Sequence, residues 1–196
     1  MGLGNPGPDY EHTRHNVGFW FVDVLARVMG ASFKLVPKLN GQVADVTFAT
    51  HKGRLFKPAT FMNRSGRAVV AISRYYRIET QNILIVHDDI DLSPGTVRLK
   101  NGGGDGGHNG LRDIITALGG ERDFMRLRIG VGHPGSADKV INYVLQKASK
   151  SDKKLITTAI ENAIDLVPVI VTGESEKAMN QLHRRTTSST QDPASR

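Results

Sequence analysis

Three short stretches of this sequence carry side chains able to move a proton, hold a metal or steady an oxygen anion. The first is His15, beside Arg14 and just ahead of an apolar periodic run. At a helix start, the positive end of the dipole and the neighbouring Arg14 disfavour the imidazolium and help keep a base neutral. A nearby carboxylate acts in the opposite sense, so the sequence leaves the net direction open. The second stretch, His87-Asp88-Asp89-Ile90-Asp91, directly follows the β-branched run Ile83-Leu84-Ile85-Val86. Such a run reads as a strand buried on both faces, and open α/β sheets bind ligands at the carboxyl ends of their strands. An acid there is a candidate to orient a base. The third stretch runs Lys100-Asn101-Gly102-Gly103-Gly104-Asp105-Gly106-Gly107-His108-Asn109-Gly110, with five glycines within six residues. Missing Cβ atoms let a ligand approach the backbone closely, and N–H groups leading into the helical pattern of residues 111–118 could meet a phosphate or carbonyl oxygen.

Other chemistries have less support. Gly2, Gly4 and Gly7, and again Gly102, Gly104 and Gly107, fit the dinucleotide pattern G-x-G-x-x-G. That pattern works between a preceding strand and a following helix. Only Met1 precedes the first match, and Pro6 and Pro8 make its continuation a rigid turn. Asp88, Asp89 and Asp91 could ligate a hard metal, but no further ligands are evident and acids in a turn are commonly just solvated, so none is expected. The chain has no cysteine and no G-x-S-x-G elbow, which removes thiolate chemistry, disulfides and a serine nucleophile of the α/β-hydrolase type. Activated water is the preferred attacker.

These groups need a scaffold, and the apolar periodicity predicts one. Val17, Phe21, Val24, Leu25 and Val28 recur at helical spacing, which predicts a helix over residues 16–29 with Gly30 as its stop. Strands are expected at 42–50 and 54–57 around a turn at 51–53, then a helix at 65–76 and the buried strand at 83–86. Residues 95–100, 124–131 and 140–145 read as shorter extended or mixed segments, and helices at 151–171 and 174–183 close the body. The sum is an α/β fold, a single three-layer domain with a mixed, mostly parallel twisted sheet flanked by helices. The 196 residues fit one domain, residues 1–183, followed by a Ser- and Thr-rich basic tail, 184–196, expected to be disordered. Lysine and arginine total 26 against 19 acids, a formal charge of +7, of which the tail carries +2; a polyanionic partner fits the remaining excess. No apolar stretch approaches the roughly 20 residues of a membrane span, and the start lacks a signal core, so a soluble cytoplasmic protein is expected.

Four segments together resemble the bacterial peptidyl-tRNA hydrolase family. They are Gly2-Leu3-Gly4-Asn5-Pro6-Gly7 with Tyr10 and Thr13-Arg14-His15-Asn16-Val17-Gly18; Lys57-Pro58 with Thr60-Phe61-Met62-Asn63 and Ser65-Gly66; His87-Asp88-Asp89-Ile90-Asp91-Leu92; and residues 102–113 with 126–135. The resemblance runs in order from residue 2 to about 145 and is far more specific than any single glycine pattern. It implies hydrolysis of the ester between a peptide and the terminal ribose of tRNA. It implies His15 as general base, Asp88 as its orienting carboxylate, and Asn5, Asn63 and Asn109 as polar clamps around the water, the ester carbonyl and the tRNA 3′ end. Tyr10 and Met62 would line the same cleft, while Lys100 and Arg128 would hold tRNA phosphates. Peptidyl-tRNA, recognised at its acceptor end and 3′ CCA, is the implied partner of a monomer without metal or organic cofactor. The family's central strand normally begins with several apolar residues ahead of the glycine turn, where this sequence has only Met1. Two other classes compete with this reading, a noncatalytic RNA-binding protein, which has no need for a base, and a nucleotide-dependent oxidoreductase, which would bind a nicotinamide or flavin.

Overall fold

The expected first helix forms as α1 (Val17–Val28), with Val17, Phe21, Val22, Leu25 and Ala26 on its buried side. The computed structural model describes the backbone of residues 1–188 and side chains through residue 182. After α1 come three strands, β1 (Lys34–Val36), β2 (Gly41–Phe48) and β3 (His51–Pro58), paired in that order and all antiparallel. The helix α2 (Ser65–Tyr76) has the bounds expected from its periodicity. It is followed by β4 (Leu84–Asp89), β5 (Val97–Asn101), α3 (Asn109–Ala117) and β6 (Met125–Gly130), with β6 central in the order β4-β6-β5. The chain closes with α4 (Val140–Val144), α5 (Lys150–Ile164), α6 (Val167–Val171) and α7 (Ser175–Ser188).

Residues 1–3 join the two strand groups. Gly2 N–H donates to Phe56 O of β3, Leu3 N–H donates to Val86 O of β4, and Val86 N–H donates to Met1 O. One mixed sheet results, with a helical layer on each face. Val86, Leu127 and Ile129 pack towards α1 and α5, while Leu3, Ile85 and Phe124 pack towards α2 and α3 through Val69, Leu111 and Ile114. The alternation of a strand's side chains between faces accounts for this division.

Several expectations change. The sheet is mixed but not mostly parallel: of the four ladders between named strands, only β4 with β6 is parallel. Parallel pairing needs a long crossover, which the segment carrying α3 supplies, whereas β2 and β3 are joined by two residues and can only run antiparallel. That turn is Ala49-Thr50, not residues 51–53: Phe48 pairs with His51, Ala49 takes a left-handed φ of 52°, and Gly53 lies inside the ladder opposite Val46. Residues 140–145 form a short helix rather than an extended segment, and 151–171 breaks into α5 and α6, with Pro168 in the first turn of α6, where its missing N–H costs nothing. Helix α7, anchored by Ala178 and Leu182, continues to Ser188, so the expected tail begins inside it; residues 189–196 lie outside the described residues.

Gly18 decides where the start of α1 lies. A Cβ there would sit 2.4 Å from Val86 O and 2.5 Å from the backbone of Leu3. Without it, the helix start rests directly on the end of the sheet. Gly18→Ala should therefore lower stability by about 1–3 kcal/mol, the usual cost of overpacking, despite alanine's better helix propensity. An unchanged melting temperature would show that the sheet can retreat freely.

Candidate active site

Asp88 lies at the carboxyl end of β4, 3% exposed, and three imidazoles surround it. His15 comes from a 3-10 turn (Arg14–Asn16) leading into α1, His87 precedes Asp88 on β4, and His108 ends the glycine-rich loop. His15 Nδ1 is 2.9 Å from both carboxylate oxygens, and His108 Nε2 is 2.9 Å from Oδ1. An ionised carboxylate only accepts, so both rings must donate to it.

The remaining nitrogens set the three rings apart. His108 Nδ1 accepts the N–H groups of Gly110 and Leu111, making this histidine the cap of α3. Its proton is thereby held on Nε2 and aimed at Asp88. His87 Nδ1 donates to Asp88 O, leaving Nε2 buried without a partner among the described residues. Burial, helped by the nearby His108 ring, pushes the His87 pKa down to about 3 against the pull of Asp88. His87 is therefore neutral and a weak base. His87 also borders the cavity, but its Nε2 is buried; of the three rings, only His15 combines an Nδ1 anchored on the Asp88 carboxylate with an Nε2 that is neither bonded nor buried.

Burial disfavours the His15 imidazolium, but the charge and hydrogen bond of Asp88 outweigh it and raise its pKa above the ordinary 6.5. The direction left open by the sequence is thus upward. Asp88 is held far below the usual carboxylate range: burial works against its charge, and His15 and His108 overcome it.

His15, Asp88 and His108 also form the one group of described residues spaced for a metal ion, with ligand atoms within 4.8 Å of one another. A neutral His108 ligating through Nε2 would need its proton on Nδ1, facing two N–H donors. The cap therefore favours a proton-handling cluster over a metal centre.

The cluster opens into a cavity of about 900 Å³. Asn5, Met62, Asn63, Asn109, Lys100 and Arg128, six of the residues anticipated from the sequence, lie on its wall with His15 and Asp88. Asn5 is oriented firmly: its N–H donates to Asn16 Oδ1, Asn16 Nδ2 donates to Asn5 O, and Asn5 Oδ1 accepts Met62 N–H at 2.7 Å. With its carbonyl end occupied, the Asn5 amide has its NH₂ left to donate. Asn109 Oδ1 accepts from Arg112, and Asn63 is exposed at the rim. Tyr10 is not a cavity-lining residue; it packs edge-on against Phe61, which is. Arg128 Nε pairs with Asp89 at 2.6 Å, which engages one edge of a cation expected to hold tRNA phosphates.

Sequence reasoning missed three residues that build the site. His108 stood in the quoted glycine string but was given no role, although its position just before a helix could have marked it as a cap. Asn16 locks the Asn5 turn. Arg126, 2% exposed, donates to the carbonyls of Gly103 and Gly104 and so holds the glycine loop to β6, opposite Lys100 in the β5 ladder. No local signal could have assigned that contact.

A carboxylate-anchored imidazole with a free nitrogen, set beside amide donors at the strand ends of an α/β sheet, is the equipment of a hydrolase. Residues 1–191 match the peptidyl-tRNA hydrolase family, and the chain belongs to that family. It is 50% identical to the peptidyl-tRNA hydrolase of Alcanivorax borkumensis over 183 residues, which is 93% of this chain and 94% of that one. With that of Saccharophagus degradans it shares 50% over 186 residues, 95% and 94% of the two chains. The crystal structure of peptidyl-tRNA hydrolase from Acinetobacter baumannii superposes with a TM-score of 0.89 at 49% identity, over 92% of this chain and 91% of that one. The chain is accordingly a hydrolase acting on an ester bond, with a role in translation. No helix among the described residues is long and apolar enough to cross a membrane.

Proposed function

We propose that this chain cleaves peptidyl-tRNA by water that His15 activates. Support comes chiefly from the division of labour around Asp88, which leaves only His15 with an accessible, adequately basic nitrogen. In this reading His15 Nε2 takes a proton from water as the oxygen attacks the ester carbonyl. The Asn5 NH₂, with Asn63 and Asn109 nearby, steadies the developing oxyanion and the 3′ end. The proton then passes from His15 to the ribose oxygen as the ester bond breaks, leaving a peptide carboxylate and a free tRNA. No step calls for a metal or cofactor.

The cavity suits a substrate with two unlike ends. Lys100 and Arg126 face each other across the β5–β6 ladder, with Arg128 two residues further along the same face. Arg126 is buried and committed to the glycine loop, so the exposed Lys100 and the half-buried Arg128 supply the positive edge that suits the acceptor-end phosphates and the 3′ CCA. Phe61, Val140, Ile141, Val144 and Leu145 supply an apolar wall for the peptide. In this reading the protein works as a monomer, in the cytoplasm where translation takes place, through a catalytic domain of residues 1–183; the basic segment 184–196, whose first five residues continue α7, is dispensable for cleavage. The direct test is release of the amino acid from an N-blocked aminoacyl-tRNA, lost in His15→Ala. No release by the wild type would refute the assignment.

Lys100→Ala should weaken tRNA binding and flatten its logarithmic salt dependence by about 0.7–0.9 per lost phosphate contact, with turnover at saturation little changed. Arg128→Ala should weaken binding more broadly, because it also strands the Asp89 carboxylate. Binding isotherms at several salt concentrations decide; unchanged slopes in both variants would place the phosphates elsewhere.

A further inference from the structure

We propose that Arg14, the residue before the base, is a positioning residue that ties the catalytic turn to α4 and thereby sets affinity for the peptide half of the substrate. The inference rests on the function proposed above. Arg14 is 6% exposed, so its guanidinium has left water. One of its terminal nitrogens lies 3.0 Å from Lys147 O, with Tyr143 O at 3.4 Å and Gln146 O at 3.5 Å. The other lies 3.5 Å from Asp152 at the start of α5, and the group stacks 4.0 Å from the centre of the Tyr143 ring. Tyr143 in turn donates its hydroxyl to Val131 O beyond β6. The backbone repeats the link: Arg14 N–H donates to Gln146 O, and Thr13 bridges Lys147.

This is an expensive way to hold an ordinary turn. A buried guanidinium carries a large desolvation cost, here offset by backbone carbonyls, the Tyr143 ring and a single partly exposed carboxylate, with Nε lacking a partner among the described residues. What it secures is a helix of five residues, too short to be stable alone, whose Val140, Ile141, Val144 and Leu145 line the cleft while Ile141 remains 65% exposed. A cation just past the carbonyl end of that helix complements its dipole and holds the carbonyls of Gln146 and Lys147, which follow the helix, in place. One side chain thus joins His15, by a peptide bond, to the apolar wall. A substrate with a long apolar peptide uses that wall; a single blocked amino acid uses little of it.

The test compares N-acetyl-aminoacyl-tRNA with a peptidyl-tRNA carrying several apolar residues, using wild type, Arg14→Lys and Tyr143→Leu. Lysine keeps the charge and loses the fork. For Arg14→Lys, KM for the longer substrate should rise about five- to tenfold, the value of one or two lost hydrogen bonds, while KM for the short substrate and kcat for both stay within about twofold. Tyr143→Leu should reproduce this split, and the double variant should be little worse than either single one, as expected for two parts of one path. Amide exchange should quicken across residues 140–147 and stay unchanged in α3. Equal KM increases for both substrates, a common fall in kcat, or no change in either would each overturn the coupling. Failure of the wild type to cleave either substrate would instead remove the underlying function.

Discussion

Replacing His15 with alanine lowers turnover about 10²- to 10⁴-fold, the usual contribution of a positioned base, while tRNA affinity changes by only a small factor. The reason is geometric. His87 has a free nitrogen but is buried and a weak base, and His108 has both nitrogens engaged, one by Asp88 and one by the start of α3. Neither can replace the lost ring without dismantling its own contacts. Single-turnover cleavage of N-blocked aminoacyl-tRNA, with tRNA binding measured separately, checks both halves of the claim. Near-normal turnover in a folded variant would mean that water is activated by another group.

Asp88→Asn produces the second large loss, about 10²- to 10⁴-fold, together with a shift in pH dependence. An amide can accept from the two rings only through its oxygen and presents an NH₂ that opposes a ring N–H, so either His15 or His108 loses its orientation. In the wild type the base must be neutral, and Asp88 raises its pKa, so activity falls on the acid side at a pH above the ordinary histidine value. Removing the charge leaves burial as the dominant influence, and the acid limb of kcat/KM moves to lower pH as the plateau drops. Stability follows its own sign. Because the folded-state pKa of His15 is raised, its pairing stabilises fully below the unfolded value near 6.5 and is lost as pH rises through the folded value. Asp88, with its folded pKa depressed, stabilises above the unfolded value near 3.8 and loses that contribution only as pH falls through the folded one. The catalytically active form has therefore already given up the ion pair that steadies His15 at lower pH. A pH profile of Asp88→Asn with an unmoved acid limb would show that the observed pKa belongs to another residue.

The sequence by itself determined the elements whose side chains carry a strong local period, and the motifs whose residue types are rare together. Helix α2 appears with its expected bounds and α1 within a residue or so, because one apolar face per turn is a local property. His15, Asp88 and the three asparagines stand out as candidates for a similar reason, since each lies in a distinctive string that resembles the family's, and all five line one cavity. Only the tertiary structure decided pairings and roles. His15 and Asp88 are separated by 73 residues, and nothing local says which of the histidines the carboxylate will bind. The commitment of both His108 nitrogens, the orphan nitrogen of His87, the turned amide of Asn5 and the pairing of Arg128 all arise when distant strands and loops meet. Sheet direction changed for the same reason: the length of a connection was legible, but its neighbours in the sheet were not. Hydrogen-bond partners in a buried site are chosen by competition among all groups brought within about 3 Å, and that set exists only once the chain has folded.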